Sequence, residues 1–221
     1  MAPGINPGTL LMGYTHYWYR PKNISKKAFG AIVKDFKKVV PALEKAGVVL
    51  AGPLGEGKPV ITADIVKFNG SRYCGHPAEY ELVIPWPAPG AGGVFAGEPI
   101  AGTWYAGHLL MTRACPGDCS YETFYFPRVR EPYYEGERPR ENGLWFDFCK
   151  TAFRPYDLAV TAFLIIAKHH LKDKIVVRTD GEDLHWADAR LLCAMELGYG
   201  LGYGINEQGE LCIQQGSRVG A

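Results

Sequence analysis

Apolar residues recur along this chain with two periods, and the places where one gives way to the other mark out its elements. Residues 10–19 (LLMGYTHYWY) are rich in aromatic side chains and stop just before Pro21, which predicts a strand. Alternation places Met12, Tyr14, His16 and Trp18 on one face, and Leu11, Thr15, Tyr17 and Tyr19 on the other. Both faces are substantially apolar, so a central strand covered on both sides is expected. The period then lengthens. Phe29, Ile32, Val33, Phe36, Val40 and Leu43 fall at three- and four-residue spacing, the buried stripe of a helix that starts after the N-cap Ser25 and runs to about residue 45. Lys26, Lys34, Lys37, Lys38 and Lys45 lie off that stripe and read as a solvated face, not a polyanion site. Pro41 is a point where the helix is expected to kink or end early, Gly47 closes it, and 48–51 form a short strand.

Over residues 59–127 the texture changes to strands and turns. Stretches 60–68, 79–86, 103–112 and 121–126 read as successive antiparallel strands of a simple meander, with Asn69-Gly70 as the turn after the first. The Pro/Gly/Ala-rich run 87–102 reads as a long loop, and the polar run 128–142 as a mobile one. A strand resumes over 144–151. Pro155 suits the first turn of a helix over 156–171, which is apolar nearly all round and therefore buried. His169-His170 close that helix, where the C-terminal dipole favours a cap. A strand over 175–178, the turn Thr179-Asp180-Gly181, and a helix capped by Asp183 and stopped by Gly198 follow, before a hairpin of 201–205 with 211–214. Segregated blocks of this kind predict an α+β fold in one domain over 1–221: a mainly antiparallel sheet, three helices packed on it, and the strand-rich insertion.

Composition narrows the function classes. Hydrophobic residues make up 47% and charged residues 21%, the balance of a folded chain. Basic residues number 24 and acidic residues 23, so overall charge favours neither nucleic acid nor an anionic membrane as partner. No apolar run approaches the roughly 20 residues a membrane helix needs. The start, Met1-Ala2-Pro3-Gly4-Ile5-Asn6-Pro7-Gly8, lacks the basic and apolar regions of a signal peptide. A cytoplasmic location with reduced thiols is expected, and there clustered cysteines point to metal or chemistry before disulfides.

Two short clusters then stand out: Cys74-Gly75-His76 and Cys115-Pro116-Gly117-Asp118-Cys119. In a simple meander the loops at 69–78 and 113–120 fall at the same end of the sheet, which brings Cys74, His76, Cys115 and Cys119 together. Three thiols and an imidazole suit a closed tetrahedral zinc site with a structural role. Other readings account for the same residues: a local disulfide between Cys115 and Cys119, a buried apolar thiol at Cys74, and an exposed turn residue at His76.

A second constellation, Phe148-Cys149-Lys150-Thr151 with Arg154-Pro155-Tyr156-Asp157, lies where a strand hands over to a buried helix. There Cys149 is a candidate nucleophile, Lys150 an anion clamp and Asp157 an orienting carboxylate, with His16 as the base a thiol needs. The alternative makes Cys149 a core residue and Asp157 a partner for free amides in the first helical turn. Asp180-Gly181-Glu182-Asp183 with His185 is explained by a turn and a helix cap. The alternating glycines of 198–204 are not a phosphate loop, since no Lys-Ser/Thr follows them.

Gly13-Tyr14-Thr15-His16-Tyr17-Trp18, Phe68-Asn69-Gly70, Phe148-Cys149-Lys150-Thr151 with Pro155-Tyr156-Asp157, and Asp180-Gly181 followed by Trp186 together resemble a group of uncharacterised bacterial and phage proteins. The resemblance spans nearly the whole chain and implies no reaction. The expected function is that of a non-catalytic accessory protein that binds a protein partner or a second copy of itself. A small thiol-dependent hydrolase or transferase using Cys149 and His16, and a structural assembly subunit, are the alternatives.

Overall fold

The alternating stretch around His16 folds as β1 (Thr15–Arg20), and the stripe after Ser25 folds as α1 (Lys26–Lys45). The structure, a computed structural model, describes residues 14–77, 80–82, 103–105, 108–110, 113–140 and 142–214, with only the backbone described over 103–105 and 108–110. Residues 10–13 of the first expected strand, 79 and 83–86 of the second insertion strand, and the expected loop over 87–102 lie outside the described residues.

Ser25 caps α1 as anticipated, its hydroxyl accepting the Ala28 amide at 3.2 Å. The buried stripe is Phe29, Ile32, Val33, Phe36, Val39 and Leu43, with Val40 at its half-buried edge. Pro41 neither ends the helix nor shortens it, because the buried Val39 and Leu43 hold the turns on either side while one backbone hydrogen bond is forgone.

The insertion departs from the simple meander. After β2 (Leu50–Ala51), the stretch expected as one strand splits into a hairpin of β3 (Val60–Ile61) and β4 (Ile65–Gly70). Thr62 makes that turn: its amide donates to the Ile65 carbonyl at 2.9 Å and its hydroxyl accepts the Ile65 amide at 3.2 Å. Asn69-Gly70 is therefore the end of a strand and not a turn. The Asn69 side chain is buried and bridges to the return segment, donating to the Tyr121 carbonyl and accepting the Tyr121 amide, each at 3.0 Å.

Beyond it come β5 (Tyr80–Glu81), β6 (Thr103–Tyr105), β7 (His108–Leu110), β8 (Ala114–Cys115) and β9 (Phe124–Pro127). β6 and β7 pair as a hairpin where a single strand over 103–112 was expected. β5 pairs antiparallel with β8, and β4 with β9. The chain thus goes out along β4 and β5 and returns along β8 and β9, nested instead of zigzagging.

The second half builds the main sheet from β10 (Trp145–Lys150), α2 (Asp157–Leu171), β11 (Val176–Thr179) and α3 (Ala187–Leu197), closing with the hairpin of β12 (Tyr203–Ile205) and β13 (Leu211–Ile213). β1 lies between β10 and β11 and is antiparallel to both. Its inner face, Tyr14, His16, Trp18 and Arg20, is buried. The outer face is not covered as expected: Tyr17 and Tyr19 are half-buried and their neighbour Phe148 is 52% exposed. The helices pack behind the inner face, where Phe36 and Phe163 meet edge to face at 5.1 Å and Trp18 lies 5.2 Å from Phe124. Among the described residues, three α-helices against antiparallel sheets make this an α+β fold. No helix among the described residues is long and apolar enough to cross a membrane.

Three local expectations change in tertiary context. Glu182, not Asp183, caps the turn before α3 in a capping box with His185, because the Asp183 carboxylate is taken by Arg190 at 3.0 and 3.1 Å and by the Ile205 amide at 2.7 Å. His170 reaches Asp35 of α1 at 2.8 Å and His169 stacks on Tyr199, so this pair ties elements together instead of capping α2. The loop expected to be mobile is pinned. Buried Arg130 pairs with Asp147 at 2.8 Å and Glu137 at 2.7 Å, and Tyr133 donates to Asp147 at 2.9 Å.

Candidate metal centre

The nested pairing brings the two cysteine clusters together. β4 delivers the segment of Cys74 and His76, and the return strand β8 carries Cys115 directly opposite Tyr80. Gly70 is required here for close approach: a Cβ on it would lie 2.0 Å from the Cys119 carbonyl oxygen and 3.0 Å from the Tyr156 ring. The Cys119 amide donates to the Ser71 carbonyl at 3.1 Å, the Asp118 carboxylate accepts the Ser120 amide at 2.7 Å, and Arg154 donates to the Asp118 carbonyl at 2.9 Å. These bonds fix the loop that presents Cys119.

One ligand atom from each of Cys74, His76, Cys115 and Cys119 lies within 4.8 Å of all the others, and the cluster can hold a metal ion. The Cys74 and Cys115 sulfurs are 3.6 Å apart, and His76 Nδ1 is 3.2 Å from the Cys119 sulfur. All the cysteines are free, so the local disulfide between Cys115 and Cys119 is not formed. Cys74 is half-buried, and so is His76, whose ring stacks on Tyr80 at 3.9 Å. Burial pushes the Cys119 thiol far above its usual range, and its neighbours Cys115 and Cys74 add to the rise. Cys115 is raised by burial too. At Cys74 burial also acts upward, but hydrogen bonds from the His76 amide and the two neighbouring thiols outweigh it and lower the value. Burial lowers His76. Thiolates this close repel one another, and a cation among them removes that conflict.

A second cluster of ionisable groups is sealed into the core where β10 gives way to α2. Asp157 Oδ1 accepts from His16 Nε2 at 2.7 Å and Thr151 at 2.6 Å, and its Oδ2 accepts from Arg113 Nε at 2.9 Å. Arg113 also reaches Asp188 at 2.9 Å and the His185 carbonyl at 3.1 Å. The intervening Ala152 and Phe153 both adopt left-handed φ, at 48° and 55°, which non-glycine residues hold only under tertiary constraint. Phe153 packs edge to face on Tyr14 at 4.9 Å, with the Arg113 guanidinium 5.1 Å from its ring. The rings of His16 and Trp186 meet at 5.2 Å, and His16 Nδ1 and Trp186 Nε1 are buried without a hydrogen-bond partner.

Each catalytic candidate from the sequence can now be placed. Cys149 lies directly across from His16 in the β1–β10 register. The imidazole, however, is directed to Asp157 and the thiol to the Glu122 carbonyl at 3.6 Å. Complete burial pushes the Cys149 thiol well above its usual range, so it stays protonated. Lys150 belongs to the opposite face of β10, its ammonium 5.8 Å from the Tyr121 ring. Arg113 and Asp188 were missed. The available signals were an arginine two positions before Cys115 and a carboxylate in the first turn of a mostly apolar helix.

The chain matches no family model, no curated protein and no solved structure.

Proposed function

We propose that the protein is a non-catalytic binding protein whose insertion is clamped by a structural zinc ion at Cys74, His76, Cys115 and Cys119. The convergence of these four donor atoms within 4.8 Å carries the reading. A tetrahedron with zinc–sulfur bonds of about 2.3 Å has edges of about 3.8 Å, and the Cys74–Cys115 separation is 3.6 Å. The donors, three sulfurs and one nitrogen, suit zinc, and all four corners are filled by the chain. A catalytic zinc keeps a corner for water or substrate, so this centre supports structure. Zinc would hold the two arms of the nested insertion at a point where the described strands β5 and β8 are only two residues long.

The test is elemental analysis of the purified protein beside Cys115→Ser. One zinc per chain, lost in the variant together with thermal stability, supports the reading. Wild-type protein free of zinc, or a variant of unchanged stability, refutes the zinc clamp.

A further inference from the structure

The outer face of the β10–β1–β11 sheet is a surface that the metal centre does not use, and register lays it out in three rows. Tyr19 stands between Phe146 and Val176, Tyr17 between Phe148 and Arg178, and Thr15 beside Lys150. Asp180 completes the third row, its amide donating to the Thr15 carbonyl at 3.1 Å. These residues alternate with the buried His16, Trp18, Asp147, Cys149 and Val177, so they share the face turned away from the core. Phe148 is 52% exposed and lies 5.9 Å from Phe146, which in turn lies 6.2 Å from Tyr17 and 5.2 Å from Tyr19.

Charges of both signs border the rings, and they are sorted by flank. Lys150 and Arg140 belong to the β10 side, the Arg140 guanidinium 5.4 Å from the Phe146 ring. The acids belong to the β11 side, where Asp180 accepts the Tyr17 hydroxyl at 3.1 Å and Glu210 stands 3.7 Å from Arg178. On the β10 side the Glu122 carboxylate accepts the Lys150 amide at 2.7 Å, so it is bound along the sheet edge and not in front of the face. A partner of one strong charge meets no matching field here.

A second copy of the chain does find its complement. Stacked sheets lie about 10 Å apart, with their strands within about 30° of one another. A two-fold axis in such an interface runs either across β1 or along it. Across β1, it lays β11 on β11, and Arg178 meets its own symmetry mate. Along β1, it lays β10 of one copy on β11 of the other, and each row meets itself. Lys150 then faces Asp180 of the second copy, Phe148 faces Arg178, Phe146 faces Val176, and the two Tyr17 side chains meet at the axis. Within one chain Lys150 and Asp180 are two strand spacings apart, about 10 Å, beyond the screening length of about 8 Å. Their charges are therefore available to the second copy.

We propose that the chain forms a homodimer through this sheet face, on a two-fold axis along β1. The proposal rests on the reading of the chain as a binding protein, whose partner it names, and not on its metal.

Sedimentation velocity of the full-length protein as purified, from about 1 to 100 µM, reads the oligomeric state. A dimer is expected, and Phe148→Ala weakens it roughly 10-fold or more. Lys150→Glu and Asp180→Lys each weaken it roughly 5- to 30-fold, because each reverses a contact that the symmetry repeats. Mixing these two variants restores the dimer, since the mixed pair again sets opposite charges together at both contacts. Circular dichroism and metal content matching the wild type verify that the variants fold. A monomer at about 100 µM overturns the proposal and leaves the face to a protein of another sequence. A dimer that keeps full affinity in Phe148→Ala, or that mixing fails to restore, overturns it as well. A zinc-free wild type that dimerises upholds this proposal and sinks the metal reading alone, and a zinc-loaded monomer does the reverse.

Discussion

Replacing Asp157 by asparagine removes the carboxylate on which the buried charges converge. Burial by itself raises this carboxyl, but the charges of His16 and Arg113 and the bonds from His16 and Thr151 reverse that and hold it at about 2, against the usual 3.8. The gap of 3.8 − 2 = 1.8 units corresponds to about 2.5 kcal/mol of stability carried by the ionised form. Asparagine also leaves the Arg113 guanidinium with Asp188 as its one carboxylate partner and sets an amide donor against groups that already donate. The whole loss is that of breaking a buried pair, about 3–5 kcal/mol. For a chain of 221 residues this lowers Tm by about 6–20 °C. Because the folded-state pKa is depressed, the stabilisation is complete above pH 3.8 and disappears as pH falls through about 2. The difference between wild type and Asp157→Asn therefore shrinks over that window. Urea unfolding at pH 7, and thermal unfolding from pH 7 downward, measure it. Taking the difference between the two proteins cancels any metal loss they share. A deficit under about 1 kcal/mol, the value of a surface pair, refutes the reasoning, as does a deficit that stays constant through the window.

Further consequences can be measured separately. Gly70→Ala forces a methyl against the Cys119 carbonyl, so it destabilises by roughly 1–3 kcal/mol and speeds loss of the proposed zinc to a chelator; wild-type retention would show that the loop yields freely. Cys149, buried and protonated, resists iodoacetamide in the native protein at pH 8 and reacts on unfolding; rapid native alkylation, mapped by mass spectrometry, would revive the thiol-enzyme alternative. Arg130→Met leaves Asp147 buried without its main cation and frees Glu137, so trypsin cuts after Arg140 sooner than in the wild type; equal cleavage rates would mean that the loop is held by other contacts.

Much of the local structure was legible in the residues. The stripe of α1, the Ser25 cap, the buried α2 and the left-handed stop at Gly198 are set by side chains within a few positions of one another. Errors arose where a distant segment supplies the deciding contact. Asn69-Gly70 has the composition of a turn, yet Tyr121 gives Asn69 two hydrogen bonds and Cys119 needs the space above Gly70, so the pair ends a strand. Asp183 has the composition of a cap, yet Arg190 and Ile205 occupy its carboxylate. The convergence of Cys74, His76, Cys115 and Cys119 was expected from a meander that does not exist. A nested excursion returns the chain to its point of departure just as a zigzag does, so the same loops meet.

The sequence by itself determined which segments are helical, which side chains seek burial, and which donors could serve a metal, because period, capping and ligand chemistry are properties of near neighbours. Tertiary structure alone decided that Arg113 joins Asp157 to Asp188 inside the core and that Tyr17, Phe146 and Phe148 share an open face. Those outcomes depend on strand order and register between residues far apart in the chain. Register is selected by the apolar area the whole assembly removes from water, a sum that no short window of residues contains.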